Sequence, residues 1–279
     1  HNRWVNSEAM RLSGISDNQP DPPAGAFGRD PATGRLTGLL IESAAGIVER
    51  VAADHFTEAM GEAAVARAVE IVNSYGVTAF QDAASVLPIL KALTGLDAKG
   101  ELTAWAVTSL PLIEPSFMFG LSGDELLALR DDYRTRHVHP NYTKIFLDGV
   151  PGARTGAFHD AYVDDAAHPH GYRGEVLVTY PDLVKYVDKS EKLGMGLKIH
   201  CAGDYAVTEM LDAVEAVRHF NGPTKVLHHI AHASYIRHED VARFAPLGVV
   251  ADLCPMIWYP TTFLEGHKEA MGEERATRF

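Results

Sequence analysis

An α/β fold of the (β/α)8 barrel type is predicted by three observations. Apolar, strand-like runs alternate with helical segments from about residue 57 onward, and polar residues gather at the C-terminal ends of those runs. No glycine-rich phosphate turn follows any of them. Strands too apolar to have a solvated face, separated by helices, imply a parallel sheet with crossover helices. An open doubly wound sheet shares that alternation. The polar strand ends (Gln81 with Asp82, Asp148, His200, His232) favour the barrel.

The elements follow in order. Residues 57–76, "TEAMGEAAVARAVEIVNSYG", read as a helix capped by Thr57, with Met60, Ala64, Ala68 and Val72 along one face and Gly76 ending it. "VTAFQDA" (77–83) is a strand, and "VLPILKALTGL" a helix with Pro88 in its first turn. "LTAWAVTSLPL" (102–112) is the next strand, followed by a helix over 122–136 with Ser122 or Asp124 as its cap. The beat continues with a strand at 142–149, a helix at 180–194, a strand at 195–203 and a helix at 204–220 that Asp204 is expected to cap. Strands at 225–233 and 249–255 flank a short helix. Six strands are counted where a barrel has eight, so the barrel is expected to be incomplete, with its first and last strands absent from the chain. Residues 1–56 do not share the beat. They form an excursion with a hairpin turning at "DPATG", attached to a barrel portion spanning 57–279.

Composition narrows the function classes. Apolar residues make up 46% of the 279, enough for a sizeable core and against extensive disorder. No apolar run reaches the roughly 18 residues of a membrane span. The formal net charge of -12 argues against nucleic acid as a partner. Two cysteines, Cys201 and Cys254, make no disulfide framework, and a reducing cytoplasm is expected. The N-terminus "HNRWVNSEAM" carries no signal-peptide pattern, and its abrupt start at a histidine suggests missing upstream sequence.

Strand periodicity then places the chemistry. Lys144, Phe146 and Asp148 share one face of their strand, Lys198 and His200 one of theirs, and His228, Ile230 and His232 one of theirs. If these faces point into the barrel, its interior holds lysines and histidines that are expensive to bury unless something pairs with them. A divalent metal ion on the imidazoles would do so. Lys144 would join as an anionic ligand if its amine carried a carbamate. Lys144 could instead be a Schiff-base lysine or an ion-pair partner of Asp148, and His200 and His232 could simply hydrogen-bond to loops. Two His-x-His strings, "HVH" (137–139) and "HPH" (168–170), read as surface histidines, and Cys201 as a packed thiol. The aromatic run 255–263 could line an apolar pocket or merely pack.

These residues bring a family into view. "DG…GART" after Lys144, "KIHCAGDYAV" and "HHIAHA" resemble the amidohydrolase superfamily, in particular the amidohydrolase family 3 group of metal-dependent hydrolases. "HNRWVNSEAMRLSGI", "GRLTGLLIE", "GVTAFQDA" and "MGEERATR" resemble further segments of it, in the right order and almost from end to end. The resemblance implies a (β/α)8 barrel with one or two divalent metals, usually zinc. Lys144 would match a carboxylated lysine bearing the carbamate, and His200 and His232 would match the ligands of the next two strands. It implies hydrolysis of an amide, formamide or cyclic C–N bond in a small-molecule substrate, other than a peptide bond, by metal-activated water. Homo-oligomers are common in the family. His1 and Asn2 would approach the mouth of the site as substrate contacts. Arg154 could bind a substrate carboxylate or merely anchor its loop, and Asp148 could hydrogen-bond a ligand or the loop. The catalytic aspartate would lie beyond Phe279, and a His-x-His pair upstream of the chain. Ala231 departs from the family, which has glutamate there. The alternatives are a non-catalytic or regulatory barrel and a lysine Schiff-base lyase.

Overall fold

The computed structural model describes residues 2–23, 25–114 and 120–278. It divides into two compact units, His1–Asn141 and Tyr142–Phe279.

The first unit opens with β1 (Asn2–Trp4) and α1 (Ser7–Leu12), then β2 (Gly25–Arg29), β3 (Leu36–Glu42) and α2 (Ser43–Ala53). The three strands form an antiparallel sheet in the order β1-β3-β2. The hairpin expected around "DPATG" joins β2 to β3. Asp30 sets its turn, accepting from the backbone N–H of Ala32 at 3.0 Å and of Thr33 at 2.8 Å. One face buries Ile15, Phe27, Leu40, Ala44 and Ala45 as a small core.

Next come α3 (Glu58–Ser74), β4 (Ala79–Asp82), α4 (Leu87–Lys99), β5 (Trp105–Pro111) and α5 (Gly123–Ala128). Thr57 caps α3 as expected, accepting from Met60 N–H at 3.2 Å. Val69, Leu93, Leu96, Leu102, Ala104, Ala106 and Val138 pack into one cluster beneath these elements. The helix expected over 122–136 is shorter than its pattern suggested. It stops at Ala128, and Arg130–Tyr133 tightens into a 3-10 turn.

The boundary between the units falls within β6 (Val138–Phe146). There follow α6 (Tyr180–Lys192), β7 (Gly196–Cys201), α7 (Asp204–Asn221), β8 (His228–His232), α8 (His238–Val241), β9 (Val249–Leu253), α9 (Thr262–Met271) and α10 (Glu273–Ala276). The parallel sheet runs β4-β5-β6-β7-β8-β9, sequential neighbours joined by crossovers, as in the successive strands of a TIM-like barrel. Among the described residues this sheet has six strands, matching the incomplete barrel read from the sequence. In the second unit Ile145, Leu147, Leu183, Leu197, Ile199, Leu211 and Ile230 are fully buried. Each such side chain contributes roughly 1.5–3 kcal/mol by leaving water.

Two local expectations are corrected. Asp204 does not cap α7, whose N-cap is Gly203. The Asp204 carboxylate accepts from the backbone N–H of His159 at 2.9 Å instead, tying a preceding loop to the helix. The second correction concerns β8. Parallel neighbours in register share a face, and Lys198 pairs with His229 and His200 with Ala231. His229 and Ala231 therefore lie on the face of Lys198 and His200. His228 and Ile230 lie on the other face, contrary to the alternation expected from the sequence. His228 is fully buried on the side of α6, with Nε2 2.9 Å from Glu191 and Nδ1 accepting from Leu197 N–H at 3.1 Å.

Candidate metal and active site

The polar groups of the second unit collect at and just beyond the C-terminal ends of β6, β7 and β8. Lys144 and Phe146 stand on β6, paired in register with Lys198 and His200 of β7. The two strands carry these side chains on one face because the pleat repeats every two residues.

His232 reaches the same place by another route. By strand alternation it belongs with His228 and Ile230, facing away. However, its backbone has φ of 72°, and Ala233 follows at 42°, both in the left-handed region that L-residues other than glycine, asparagine and aspartate rarely enter. The strand ends there in a bend that swings the imidazole across, to a ring-centroid distance of 4.5 Å from His200 with the planes 68° apart. Such a conformation costs on the order of 1–3 kcal/mol and persists only where the surroundings impose it.

Hydrogen bonds fix the state of one imidazole. His200 is buried, and its Nε2 lies 2.9 Å from the carbonyl oxygen of Gly149. A carbonyl can only accept, so Nε2 carries the proton, and the neutral ring keeps its lone pair on Nδ1. His232 Nδ1 lies 3.3 Å from the sulfur of Cys254, in the segment leaving β9.

Lys144 is the largest fully buried side chain, 2% exposed. Among the described residues its ammonium has no hydrogen bond or ion pair, and it sits 4.3 Å from the centroid of the Phe146 ring. Burial pulls its amine down to about 7, and the neighbouring Lys198 charge adds to that. Lys198 is instead ion-paired to Asp252 of β9. His229 Nε2 lies 3.0 Å from the Tyr142 hydroxyl on the same face.

The other expected site residues are placed differently. Asp148 does not pair with Lys144 and is not open to a ligand. Fully buried, it accepts the backbone N–H groups of Ala157 at 3.0 Å, Ala202 at 2.9 Å and Gly203 at 2.8 Å. It thereby staples the ends of β6 and β7 to the following loop, and stands 3.6 Å from His200 Nε2. Arg154 is likewise committed to the protein. Its guanidinium pairs with Asp165 at 2.8 Å and donates to the carbonyls of Val163 and Ala270, anchoring its loop to the end of α9. Asn2 is exposed on β1 in the first unit, opposite Ile41. His1 lies outside the described residues. The strings "HVH" and "HPH" take no part: His137 is held by Asp97 at 2.6 Å, and His168 and His170 pair with Asp165 and Asp164. Cys201 is fully buried, as expected of a packed thiol.

Sequence reasoning overlooked Cys254 and the Lys198–Asp252 pair. A signal existed for both: "ADLC" ends its strand as "KIH" and "AH" end theirs, with polar groups at the last positions.

The residues present suit a cation. Two imidazoles meet at a strand end, the Phe146 ring stands 5.6 Å from His200 and 4.3 Å from a buried amine that pairs with no acid among the described residues, and the carbonyl contact leaves His200 Nδ1 as a donor. By themselves they are too few for a closed site. Among the described residues no group of three or more His, Cys, Asp or Glu side chains is arranged to hold a metal, so Lys144 would have to complete the set.

Residues 1–278 match the model of the Amidohydrolase family. The chain belongs to that family. Among its relatives, the putative amidohydrolase YtcJ of Bacillus subtilis (strain 168) is 27% identical over 266 residues, covering 90% of this chain and 45% of YtcJ. The N-substituted formamide deformylase of Arthrobacter pascens is 27% identical over 264 residues, covering 89% and 45%. The exoenzymes regulatory protein AepA of Pectobacterium carotovorum subsp. carotovorum is 26% identical over 251 residues, covering 88% and 51%. Among solved structures, an uncharacterized metal-dependent hydrolase from Pyrococcus furiosus superposes with a TM-score of 0.69 at 23% identity, covering 99% of this chain and 52% of that one. The chain thus shares that fold, and spans about half the length of the relatives it matches.

Proposed function

We propose that the protein is part of a metal-dependent hydrolase that cleaves a non-peptide C–N bond, of the amide or formamide kind, in a small molecule. One observation carries this reading: His200 and His232 meet at a ring-centroid distance of 4.5 Å at the ends of consecutive strands, and the Phe146 ring lies between His200 and the buried Lys144 amine of the preceding strand. The formamide deformylase relative supports the substrate class.

A divalent ion, with zinc the best match to imidazole donors, would supply Lewis acidity and activate water. The chain's own residues do the rest. The Gly149 carbonyl holds the Nε2 proton of His200 and so presents Nδ1 as a donor. Asp148 fixes the strand ends from which His200 and the following loop depart. With its amine near 7, Lys144 is neutral in a large fraction of molecules at neutral pH. The neutral amine is the form that adds carbon dioxide, and the carbamate formed is an anionic oxygen donor. Without carbon dioxide the same amine would repel a cation whenever it is protonated.

The test is metal content of the purified chain after loading with zinc in bicarbonate buffer, compared with Lys144→Ala and His200→Ala. Bound zinc that falls by more than half in either variant supports the reading, and no binding by any of the three sinks it. Hydrolysis of N-substituted formamides by the whole protein then tests the substrate class.

A second reading draws on the AepA relative, a regulatory protein: a barrel that keeps the fold and binds without turnover. Metal binding with no hydrolysis across an amide and formamide panel would favour it. Borohydride trapping of a carbonyl compound on Lys144 would favour a Schiff-base lyase instead.

A further inference from the structure

We propose that Cys254 is a positioning residue of the metal centre, one that orients His232 and fixes its tautomer so that Nε2 faces the site as the donor. This rests on the metal-centre reading above.

Three observations carry it. First, the Cys254 sulfur lies 3.3 Å from His232 Nδ1, a hydrogen-bonding distance for sulfur. Second, Cys254 directly follows β9, whose last residue Leu253 is in register with His232, so its sulfur stands where it can accept from the Nδ1–H. An acceptor at Nδ1 leaves that nitrogen protonated and Nε2 bare in the neutral ring. Third, the strand pleat does not aim His232. The bend at 232–233 delivers the ring, and the contact at Nδ1 acts on the side-chain torsions, which the bend does not set.

The arrangement parallels that of His200, whose Nε2 is held by the Gly149 carbonyl. Metal-bound histidines are ordinarily held at their second nitrogen by a carbonyl or carboxylate, and losing that partner costs about 10–100-fold in metal affinity. Here a thiol occupies the place. The site-facing position next to His200 on β8 is Ala231, a methyl group that can accept nothing. Cys254, arriving from the next strand, supplies the acceptor that β8 lacks.

The experiment uses the full chain, wild type against Cys254→Ala and Cys254→Ser, with two readouts. The first needs no metal: the nitrogen chemical shifts of His232 in the metal-stripped protein, assigned by difference from His232→Gln. The proposal expects a protonated Nδ1 in the wild type, a mixed tautomer in Cys254→Ala, and restoration in Cys254→Ser, whose hydroxyl can accept. A wild-type His232 protonated on Nε2, or a tautomer indifferent to Cys254→Ala, overturns it. The second readout is cobalt(II) titration followed by absorption. The expectation is a roughly 10–100-fold weaker affinity in Cys254→Ala, largely recovered in Cys254→Ser. The wild type should show ligand-field bands and no sulfur-to-cobalt charge-transfer band. Such a band, lost in Cys254→Ala, would make Cys254 a direct ligand and overturn the positioning role. If cobalt binds nowhere while the tautomer still follows Cys254, the metal reading fails and the orienting contact stands. If cobalt binds equally to all three, the contact is only packing and the metal reading stands.

Discussion

Lys144 is where burial and charge conflict most sharply. An unfolded lysine titrates near 10.4, whereas the folded one is drawn down to about 7 by burial. Between those values the unfolded chain binds more protons than the folded one, so this group makes stability rise with pH. Its penalty is fully present below about 7 and gone above roughly 10.4. In metal-free, carbon-dioxide-free buffer, Lys144→Met should therefore stabilise the protein by a few kcal/mol at pH 7. The gap to wild type should shrink by about 1.4 kcal/mol per pH unit towards pH 10. Urea denaturation at pH 7, 8.5 and 10 checks this, and a pH-independent gap would refute it. Asp148 behaves oppositely, because its oxygens meet three backbone N–H groups in a fully buried site. Asp148→Ala is expected to cost about 3 kcal/mol or more, with metal affinity falling only as the strand ends loosen. Chemical denaturation alongside zinc titration separates the two effects.

At the scale of elements, β8 is held from its two faces by different means. On one face His228 bridges Leu197 N–H and Glu191, while Arg218 of α7 reaches the same carboxylate at 3.2 Å. His228→Leu strands the buried Leu197 amide and leaves the Glu191 carboxylate with Arg218 alone, and is expected to lower stability by about 3 kcal/mol without moving His232. At the far end, Ala233 has φ of 42°, where glycine is at ease. Ala233→Gly should gain about 0.5–1 kcal/mol, read as a higher denaturation midpoint at an unchanged slope. β8 also marks how far the sequence could be read. The existence of the strand and its histidines was legible, since apolar β-branched runs between helices announce parallel strands. The face was not. Period-2 counting from His232 assigns His228 and Ile230 to the interior, because it cannot register a left-handed bend at the last residue. The partners of Asp148 and Arg154 were hidden for a related reason: both bond chiefly to backbone groups, which leave no mark on residue identity. Lys144 and His200, lying within regular strands, were placed by alternation alone.

For the molecule as a whole, Lys144, His200, His232 and Cys254 all belong to the second unit, and the 2–56 sheet and its helices to the first. A metal that binds the folded state alone stabilises what it touches by RT ln(1 + [M]/Kd), about 4 kcal/mol at a thousandfold excess over Kd. Hydrogen exchange should accordingly slow on zinc loading in β6 to β9 and their connecting loops, and stay unchanged in β1 to β3. Uniform protection throughout, or none, would be at odds with a centre built from β6, β7 and β8. Among the described residues no helix is long and apolar enough to cross a membrane.

The bend at 232–233 has a further consequence. The ladder of β8 registers His232 against Cys201 and Leu253 wherever the imidazole points. Which side of the sheet the ring lies on is thus set by two adjacent backbone torsions. A substitution favouring extended backbone there, such as Ala233→Val, would let the chain relax and turn the imidazole towards the helix layer while every strand pairing survived. The protein would then melt no earlier than before and yet have no second imidazole at its centre. Inactivation of that kind leaves no trace in a stability screen, and only a probe of the ring itself would reveal it.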